Sequence, residues 1–222
     1  MNGNTETERW PGPHHYYSIE NPRLGKMEFS VYSDCPFSPE RKGFCLHQTH
    51  SNQVIPIEKV QNSERLIEGD GILISKSPSA KMEIAVKTAD CLPILISGKT
   101  GAALIHAGWR GLHNNILFHD LVKGISPVEA LIGPHIGPCC FEVQSDFKNY
   151  FENESQYTQK DQKLYFDLEA KAREQLSELL PLQKIHSLKF CTACSGDLNS
   201  FRKTKTDKRN WNVLILYPTQ HS

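Results

Sequence analysis

The sequence has no excess of charge of either sign and no long hydrophobic run. Its 222 residues include 25 Lys and Arg and 25 Asp and Glu, so the formal net charge is zero. Without a basic field, electrostatic binding to nucleic acid or to an anionic membrane surface is not expected. The longest apolar runs, at residues 92–96 and 213–216, are far shorter than the roughly 20 residues that span a bilayer, so no membrane-spanning helix is predicted.

The sequence also lacks the features of a disulfide-stabilised secreted domain. It has seven cysteines, an odd number, in a chain long enough to bury a sizeable core. Its first residues, MNGNTETERWPG, have neither the basic start nor the apolar core of a secretory signal. We therefore expect reduced thiols and a cytoplasmic protein.

Neither internal repeats nor low-complexity tracts divide the chain, and its length suits one domain. Residues 1–26 contain three prolines and few apolar side chains, which predicts a loosely ordered N-terminal arm. The folded catalytic domain is then expected over residues 27–222. Residues 145–163 are polar and lack sustained periodicity, which predicts an excursion on the surface of that domain.

Short runs rich in Ile, Val and Leu predict β-strands, at 54–57, 71–74, 84–86, 94–96, 102–105, 130–132 and 213–216. Two stretches have helical spacing. One covers residues 112–125, and the other covers 167–180, with Asp167 as its N-cap. Many strands, some of them apolar on both faces, and few helices predict an α/β or α+β layered fold.

Three residues with metal-ligating side chains stand beside predicted strands. His50 comes just before a strand in HQTHSNQV, Cys91 lies between two apolar runs in VKTADCLPILI, and His106 ends a strand in AALIHAGWRG. Two imidazoles and one thiolate form a zinc site that leaves a fourth position for water or substrate, as catalytic sites do. The three positions are 41 and 15 residues apart, so spacing alone leaves open an inert thiol and two structural histidines.

Four other residues near these segments are candidates for chemistry. The segment HAGWRGL joins a strand to a predicted helix, where backbone N–H groups and Arg110 can hold an anion such as phosphate. A tight turn in which the glycines only relieve steric crowding is the alternative. Asp70, in EGDGILI, and Asp90 can orient a ligand or take a proton, with turn formation as the alternative. His47 can orient a ligand or act as an acid or base, with an exposed histidine of no special role as the alternative.

The remaining cysteines include two close pairs. Cys191 and Cys194 form a C-x-x-C motif, and Cys139 and Cys140 are adjacent. A four-cysteine zinc site is one interpretation of these pairs, and cysteines without a ligand role are the other. A redox motif is less favoured because no βαβ pattern surrounds the C-x-x-C.

Six segments resemble, in the same order, those of the laccase-domain proteins: QTHSNQV, DGILI, VKTADCLPILI, AALIHAGWRGL, IGPHIGPCCFEV and RNWNVLIL. These proteins are also called YfiH-type polyphenol oxidases, peptidoglycan editing factors or purine nucleoside phosphorylases. The resemblance covers roughly residues 44–217. It implies a single-domain, three-layer α/β fold with a mixed sheet and with zinc held by His50, Cys91 and His106.

The resemblance also implies an activity. It is the reaction of phosphate with a purine nucleoside (adenosine, inosine, guanosine or S-methyl-5′-thioadenosine) to give the free base and the ribose 1-phosphate. Deamination of adenosine is a second implied activity. We expect His47, Asp90 and Arg110 to be catalytic residues, and a purine nucleoside and phosphate to be the partners of a monomer or small homo-oligomer.

Other functions stay open at this point. The same family includes editing amidases that act on cytoplasmic peptidoglycan precursors. A copper oxidase of phenols would use the same three ligands, but the sequence has no H-x-H motif of the kind that fills a three-copper cluster, so zinc is favoured over copper. A metal-free hydrolase with Cys91 as nucleophile and a non-catalytic role through a partner enzyme are further alternatives.

Overall fold

The computed structural model describes residues 14–219, and their side chains from residue 17 onward. This part of the chain is dominated by thirteen β-strands: β1 (His14–Asn21), β2 (Gly25–Tyr32), β3 (Val54–Pro56), β4 (Gly71–Ile74), β5 (Met82–Thr88), β6 (Leu92–Gly98), β7 (Gly101–Ala107), β8 (Pro127–Ile132), β9 (Glu142–Val143), β10 (Tyr157–Lys160), β11 (Lys163–Phe166), β12 (Ile185–Ser187) and β13 (Asn210–Leu216).

Five short α-helices accompany the strands of the described chain: α1 (Ile57–Gln61), α2 (Trp109–His113), α3 (Asp120–Gly124), α4 (Leu168–Ser177) and α5 (Phe201–Thr204). Single turns of 3₁₀ helix lie at Ile116–Phe118, Ser145–Asn149, Glu154–Gln156 and Leu182–Lys184. Among the described residues, no helix is both long enough and apolar enough to cross a membrane.

A six-stranded mixed sheet, in the order β12-β8-β6-β7-β4-β3, forms the middle layer. Its strands β6 and β7 are buried along their whole length, as expected for strands that are covered on both faces. On one face, the antiparallel sheet β1-β2-β13-β5 encloses a core that includes Phe29 and Leu104. On the other face, helices α2 to α4 and the sheet β10-β11-β9 enclose a second core that includes Ile105 and Leu176.

This architecture confirms the predicted single-domain, three-layer fold with a mixed sheet. Leu104 and Ile105 are neighbours on β7 and enter different cores, because successive side chains of a strand point to opposite faces. All seven predicted strands are present, as β3 to β8 and β13. Strands β1, β2 and β9 to β12 were not predicted.

The prediction of a loosely ordered arm over residues 1–26 is wrong from residue 14 onward, where β1 and β2 form a hairpin. Residues 1–13 lie outside the described part of the chain. The side-chain amide of Asn21 donates hydrogen bonds to Ser97 Oγ at 2.7 Å and to the carbonyl of Gly98 at 2.9 Å. These bonds fix the β1–β2 turn against the β6–β7 turn, so the domain begins before the predicted boundary at residue 27.

The single helix predicted over residues 112–125 is also wrong. Helix α2 ends at His113, and Asn115 then takes a left-handed conformation with φ of 60°, which a continuous helix does not allow. His119 begins a new helix, α3, because its Nδ1 accepts a hydrogen bond from the backbone N–H of Leu121 at 3.2 Å. The helical spacing of the apolar residues therefore spans two separate helices.

The second predicted helix is confirmed as α4, which lies within residues 167–180. Asp167 caps it as predicted, because its carboxylate accepts a hydrogen bond from the backbone N–H of Ala170 at 2.9 Å. The segment 145–163 is more than a surface excursion. Its Phe147 and Phe151 are buried in the second core.

Candidate metal centre

The three predicted metal ligands meet where strands of the middle sheet end. Antiparallel pairing of β6 with β7 sets Leu92 opposite Ala107, which brings Cys91, just before β6, next to His106 on β7. His50 lies in the loop that leads into β3. One ligand atom from each of His50, Cys91 and His106 lies within 4.8 Å of the other two.

The carboxylate of Asp70, which is fully buried, organises both histidines. Its Oδ1 lies 2.8 Å from Nδ1 of His106 and accepts the backbone N–H of His50 at 3.1 Å. Its Oδ2 accepts hydrogen bonds from the backbone N–H of Ser51 at 2.6 Å and from the Ser51 hydroxyl at 2.7 Å. Burial by itself would raise the pKa of Asp70, but the hydrogen bonds from His106 and Ser51 lower it to about 2.

This carboxylate determines which nitrogen of His106 faces the metal position. An ionised carboxylate only accepts hydrogen bonds, so the proton of a neutral His106 lies on Nδ1, which donates to Asp70. Nε2 then keeps its lone pair and can bind a metal. A carboxylate that orients a histidine in this way is the usual second partner of a metal-bound imidazole.

His50 reaches the site through a strained backbone. Its φ of 60° lies in the left-handed region, which costs a non-glycine residue on the order of 1–3 kcal/mol. The hydrogen bonds from the backbone of this loop to Asp70 offset that cost. The His50 ring stands nearly edge-on to the His106 ring, with a centroid distance of 4.9 Å and an angle of 73°.

Cys91 and His106 form a charged pair. Burial alone would raise the pKa of the Cys91 thiol, but the positive charge of His106 and hydrogen bonds from His106 and His50 lower it to about 6. Burial alone would lower the pKa of His106, but the Cys91 thiolate and the Asp70 carboxylate raise it to about 9. The thiolate is the form of cysteine that binds metals, so Cys91 is held ready to act as a ligand. A metal ion bound here would displace the Nε2 proton of the charged His106 and leave its Nδ1 proton hydrogen-bonded to Asp70.

Gly108 packs directly against this ligand set. A Cβ atom placed on Gly108 would lie 2.9 Å from Cys91 Sγ, closer than real Cβ atoms come, and 3.2 Å from Cδ2 of His50, which is tighter than most real contacts. Gly108 is also the N-cap of α2, so the start of this helix lies against the candidate metal ligands. The absence of a side chain at Gly108 therefore leaves room for the side chains of Cys91 and His50, as the steric interpretation of this glycine predicts.

Arg110 and His47 lie outside the ligand set. Arg110 is exposed in the first turn of α2, and its guanidinium lies 4.4 Å from the ring centre of Trp109. His47 is exposed, and its backbone forms a bridge with Glu68. The catalytic roles of both residues stay predictions.

Asp90 connects the Cys91 turn to two distant loops. It has a left-handed φ of 99°. Its Oδ1 accepts a hydrogen bond from the Thr192 hydroxyl, and its Oδ2 accepts one from the backbone N–H of Arg202, both at 2.7 Å. These contacts hold the Cys91 turn in place, and the predicted role of Asp90 in proton transfer stays a prediction.

The residues present fit a zinc ion. Two imidazole nitrogens and one thiolate around tetrahedral zinc lie about 3.3–3.6 Å apart, since Zn–N and Zn–S bonds are about 2.0–2.1 and 2.3 Å long. The upper limit of 4.8 Å between the ligand atoms of this site accommodates that arrangement with small side-chain movements. Three protein ligands leave one tetrahedral position for a small molecule.

A family model described as multi-copper polyphenol oxidoreductase laccase matches residues 30–216. The chain belongs to this family. The match confirms the resemblance to laccase-domain proteins, and it includes all three candidate ligands.

Relatives within the laccase-domain family carry enzyme names. A protein named purine nucleoside phosphorylase, from Aquifex aeolicus, is 34% identical over 186 residues, which cover 82% of this chain and 86% of the relative. The purine nucleoside phosphorylase YfiH of Escherichia coli is 26% identical in an alignment that covers 94% of this chain and 97% of the relative.

The crystal structure of a Neisseria meningitidis protein of family DUF152 has the same fold as this laccase-domain chain. It matches with a TM-score of 0.73 at 21% identity, covering 93% of this chain and all of the other. The hypothetical protein YfiH of Bacillus licheniformis matches with a TM-score of 0.67 at 18% identity, covering 85% of this chain and 91% of the other. At these identities the likeness concerns the fold.

Proposed function

We propose that the protein is a zinc-dependent purine nucleoside phosphorylase that also deaminates adenosine. The convergence of His50, Cys91 and His106 around one position, with Asp70 behind them, is the observation that carries this proposal. The names of relatives that are 26–34% identical support the reaction type.

The chain's own ligands favour zinc over copper. The nitrogens of His50 and His106 and the thiolate of Cys91 would hold the ion, and Asp70 would orient His106. When bound, a zinc ion with one open position supplies Lewis acidity. Within the described residues, the other clustered group of metal-binding side chains is composed of cysteines and lacks the histidines of a three-copper cluster.

Phosphorolysis exchanges one bond at the sugar. The bond between C1′ of the ribose and the purine nitrogen breaks, a phosphate oxygen bonds to C1′, and the base leaves with the electron pair and takes up a proton. Holding phosphate close to the sugar accelerates this exchange. We assign phosphate binding to Arg110, because it is an exposed cation two residues after Gly108, and Gly108 packs against Cys91 and His50.

His47 is our first candidate for the proton donor to the departing base. Asp90 is the second, because both of its carboxylate oxygens already accept hydrogen bonds, from Thr192 and Arg202. Deamination replaces the amino group at purine C6 with oxygen from water and releases ammonia. We propose that it takes place at the same metal site.

The chemistry of the ligands and their origin in one chain also support a proposed compartment and assembly state. Binding through Cys91 requires a reduced thiolate, which favours the cytoplasm. All three candidate ligands come from one chain, so the site is complete in a monomer and equally in each subunit of a small homo-oligomer. The proposed partners are a purine nucleoside and phosphate.

The direct test incubates zinc-loaded protein with adenosine, with and without phosphate, and separates the products by chromatography. We expect adenine and ribose 1-phosphate only when phosphate is present, and inosine in both cases. Cys91→Ala is expected to lose the zinc ion at this site and all product formation, whereas Cys35→Ser, which alters an exposed cysteine outside the site, is expected to match the wild type.

Undiminished activity of Cys91→Ala would overturn the proposal, and so would the absence of phosphate-dependent base release from adenosine, inosine, guanosine and S-methyl-5′-thioadenosine. Stoichiometric copper with oxygen uptake on a phenol would instead favour an oxidase. Cleavage of a peptidoglycan precursor would favour an editing amidase.

A further inference from the structure

Four cysteines form a second cluster outside the candidate active site. Two of them follow strand β8 and two follow strand β12, and these strands are parallel neighbours in the middle sheet. Their following loops therefore leave the same edge of the sheet. The loops are also bridged directly, since the backbone N–H of Thr192 donates to the carbonyl of His135 at 2.9 Å.

The spacing of the four sulfur atoms fits one tetrahedral metal ion. All four lie within 4.8 Å of one another, and Cys194 Sγ lies 3.6 Å from that of Cys139 and 3.4 Å from that of Cys140. Zn–S bonds of about 2.3 Å place the sulfurs of a tetrahedral zinc site about 3.8 Å apart. A disulfide would require about 2.05 Å. An iron–sulfur cluster of several irons needs its thiolates farther apart than thiolates that share one ion.

The backbone around the cluster supports thiolate ligands. The N–H of Gly137 donates to Cys191 Sγ at 3.2 Å. The N–H groups of Cys194 and Ser195 donate to the carbonyl of Cys191, which folds the C-x-x-C segment into a turn that points both sulfurs the same way. A Cβ on Gly137 would lie 3.3 Å from Cys139 Sγ on its own loop and 3.4 Å from the Cβ of Cys191 on the other loop, so a side chain here would crowd the cluster.

We propose that one zinc ion is bound by the four clustered thiolates, those of Cys139, Cys140, Cys191 and Cys194. Four protein ligands leave no open position, so this site is structural, unlike the three-ligand site. The proposal is independent of the proposed enzymatic function. It concerns different residues, and metal content tests it without any assay of activity.

The cysteine cluster is linked by a hydrogen bond to the turn that carries Cys91. Thr192 lies inside the C-x-x-C segment, is fully buried, and donates its hydroxyl hydrogen bond to Asp90 at 2.7 Å. Asp90 directly precedes Cys91. A metal that fixes the cysteine loop therefore also holds the turn that presents the thiolate of the candidate active site.

Elemental analysis of protein purified with a reductant tests the proposal. We expect about two zinc ions per chain in the wild type and in Cys35→Ser, the control for a cysteine outside both clusters. The double variant Cys191→Ser/Cys194→Ser is expected to lose one ion and retain the other, and Cys91→Ala is expected to do the same. A combination of all three substitutions is expected to bind none.

A second measurement covers the case in which the double variant does not fold. Cys91→Ala has an intact cysteine cluster, and when loaded with Co²⁺ it is expected to give the intense charge-transfer absorption of a tetrahedral tetrathiolate site. The proposal is overturned if folded Cys91→Ala binds no metal, if that spectrum is absent, or if the cluster binds iron. Zinc content of the double variant equal to that of the wild type would also overturn it.

Discussion

Asp70 contacts both histidine ligands, one through its side chain and the other through its backbone. It accepts a hydrogen bond from the side chain of His106 and another from the backbone of His50. In the sequence, Asp70 lies between two glycines, where an Asp is typical of a turn, and it was not among the predicted catalytic residues or metal ligands. Its partners are 20 and 36 residues away, so no local pattern reveals them.

Asp70→Asn should weaken zinc binding at the active site about 10–100-fold, as loss of a second partner of a metal-bound histidine does. The asparagine amide cannot accept all of these hydrogen bonds, so both histidines lose their orientation. Competition with a chromophoric chelator measures the affinity. Asp34→Asn, whose carboxylate is 78% exposed, is the control. An unchanged affinity in Asp70→Asn would show that the carboxylate does not orient the ligands.

Gly108→Ala should displace the ligands, because the added methyl group would lie 2.9 Å from Cys91 Sγ and 3.2 Å from the His50 ring. We expect loss of the active-site zinc in a chain that remains folded, measured by zinc content and circular dichroism. Gly124→Ala is the matched control, since a Cβ there meets no atom within 4 Å. Retention of full zinc content by Gly108→Ala would contradict the packing of α2 on the site.

At the scale of elements, the sequence predicts the strands that are buried on both faces. It does not predict strands that have one exposed face. The bounds of β4 were predicted as observed because all four of its residues are apolar or glycine and buried. Strand β1 was missed because it is the edge strand of its sheet, with side chains at 17–20 that alternate between half-buried and exposed. Its order depends on contacts that Asn21 makes 76 residues away.

Helix boundaries and the geometry of the site also depend on features that the local sequence pattern does not show. Helical spacing over residues 112–125 does not show that Asn115 adopts a left-handed conformation, so two helices were predicted as one. The ligand residues could be chosen from their chemistry and the family resemblance. Their convergence depends on the register of β6 with β7 and on Asp90 contacts to Thr192, 102 residues away.

The capping of α4 gives a prediction at this scale. Asp167→Ala should lower the free energy of unfolding by about 1 kcal/mol, because the N–H of Ala170 loses its acceptor. Urea denaturation monitored by circular dichroism measures the change. Asp207→Ala, at an exposed position outside the helices, should change it little. Equal denaturation midpoints for Asp167→Ala and the wild type would contradict the capping role.

At the scale of the whole molecule, an ion group around the buried carboxylate of Glu83 ties the loop after β2 to the outer sheet. Glu83 is 5% exposed and accepts hydrogen bonds from Arg41 at 3.0 and 2.8 Å. Lys81 lies 2.9 Å from its other oxygen. Burial alone would raise the pKa of Glu83, but the hydrogen bonds and charges of Arg41 and Lys81 hold it below its ordinary value of 4.5.

This group predicts a pH dependence of global stability. The pKa of Glu83 is lower in the folded protein than in the unfolded chain. Its contribution to the free energy of unfolding is therefore complete above the unfolded-state pKa of about 4.3, and it is lost as the pH falls through the lower folded-state pKa. Glu83→Gln should lower the free energy of unfolding by about 1–3 kcal/mol at pH 7, because Arg41 is left without its charged partner.

The difference between Glu83→Gln and the wild type should shrink as the pH falls below about 4. Denaturant unfolding at a series of pH values measures it, with Glu64→Gln at an exposed position as the control. A difference that stays constant from neutral to strongly acidic pH would contradict the ionised state of Glu83.

Anomalous diffraction at the zinc absorption edge, from crystals of the reduced chain, tests the central claim most directly. The account predicts a peak bonded to His50, Cys91 and His106, at about 2.0–2.1 Å from nitrogen and 2.3 Å from sulfur. A second peak is expected among the four clustered cysteines. Zinc-loaded crystals with no peak between the two histidines and Cys91 would contradict the proposed metal centre and the function built on it.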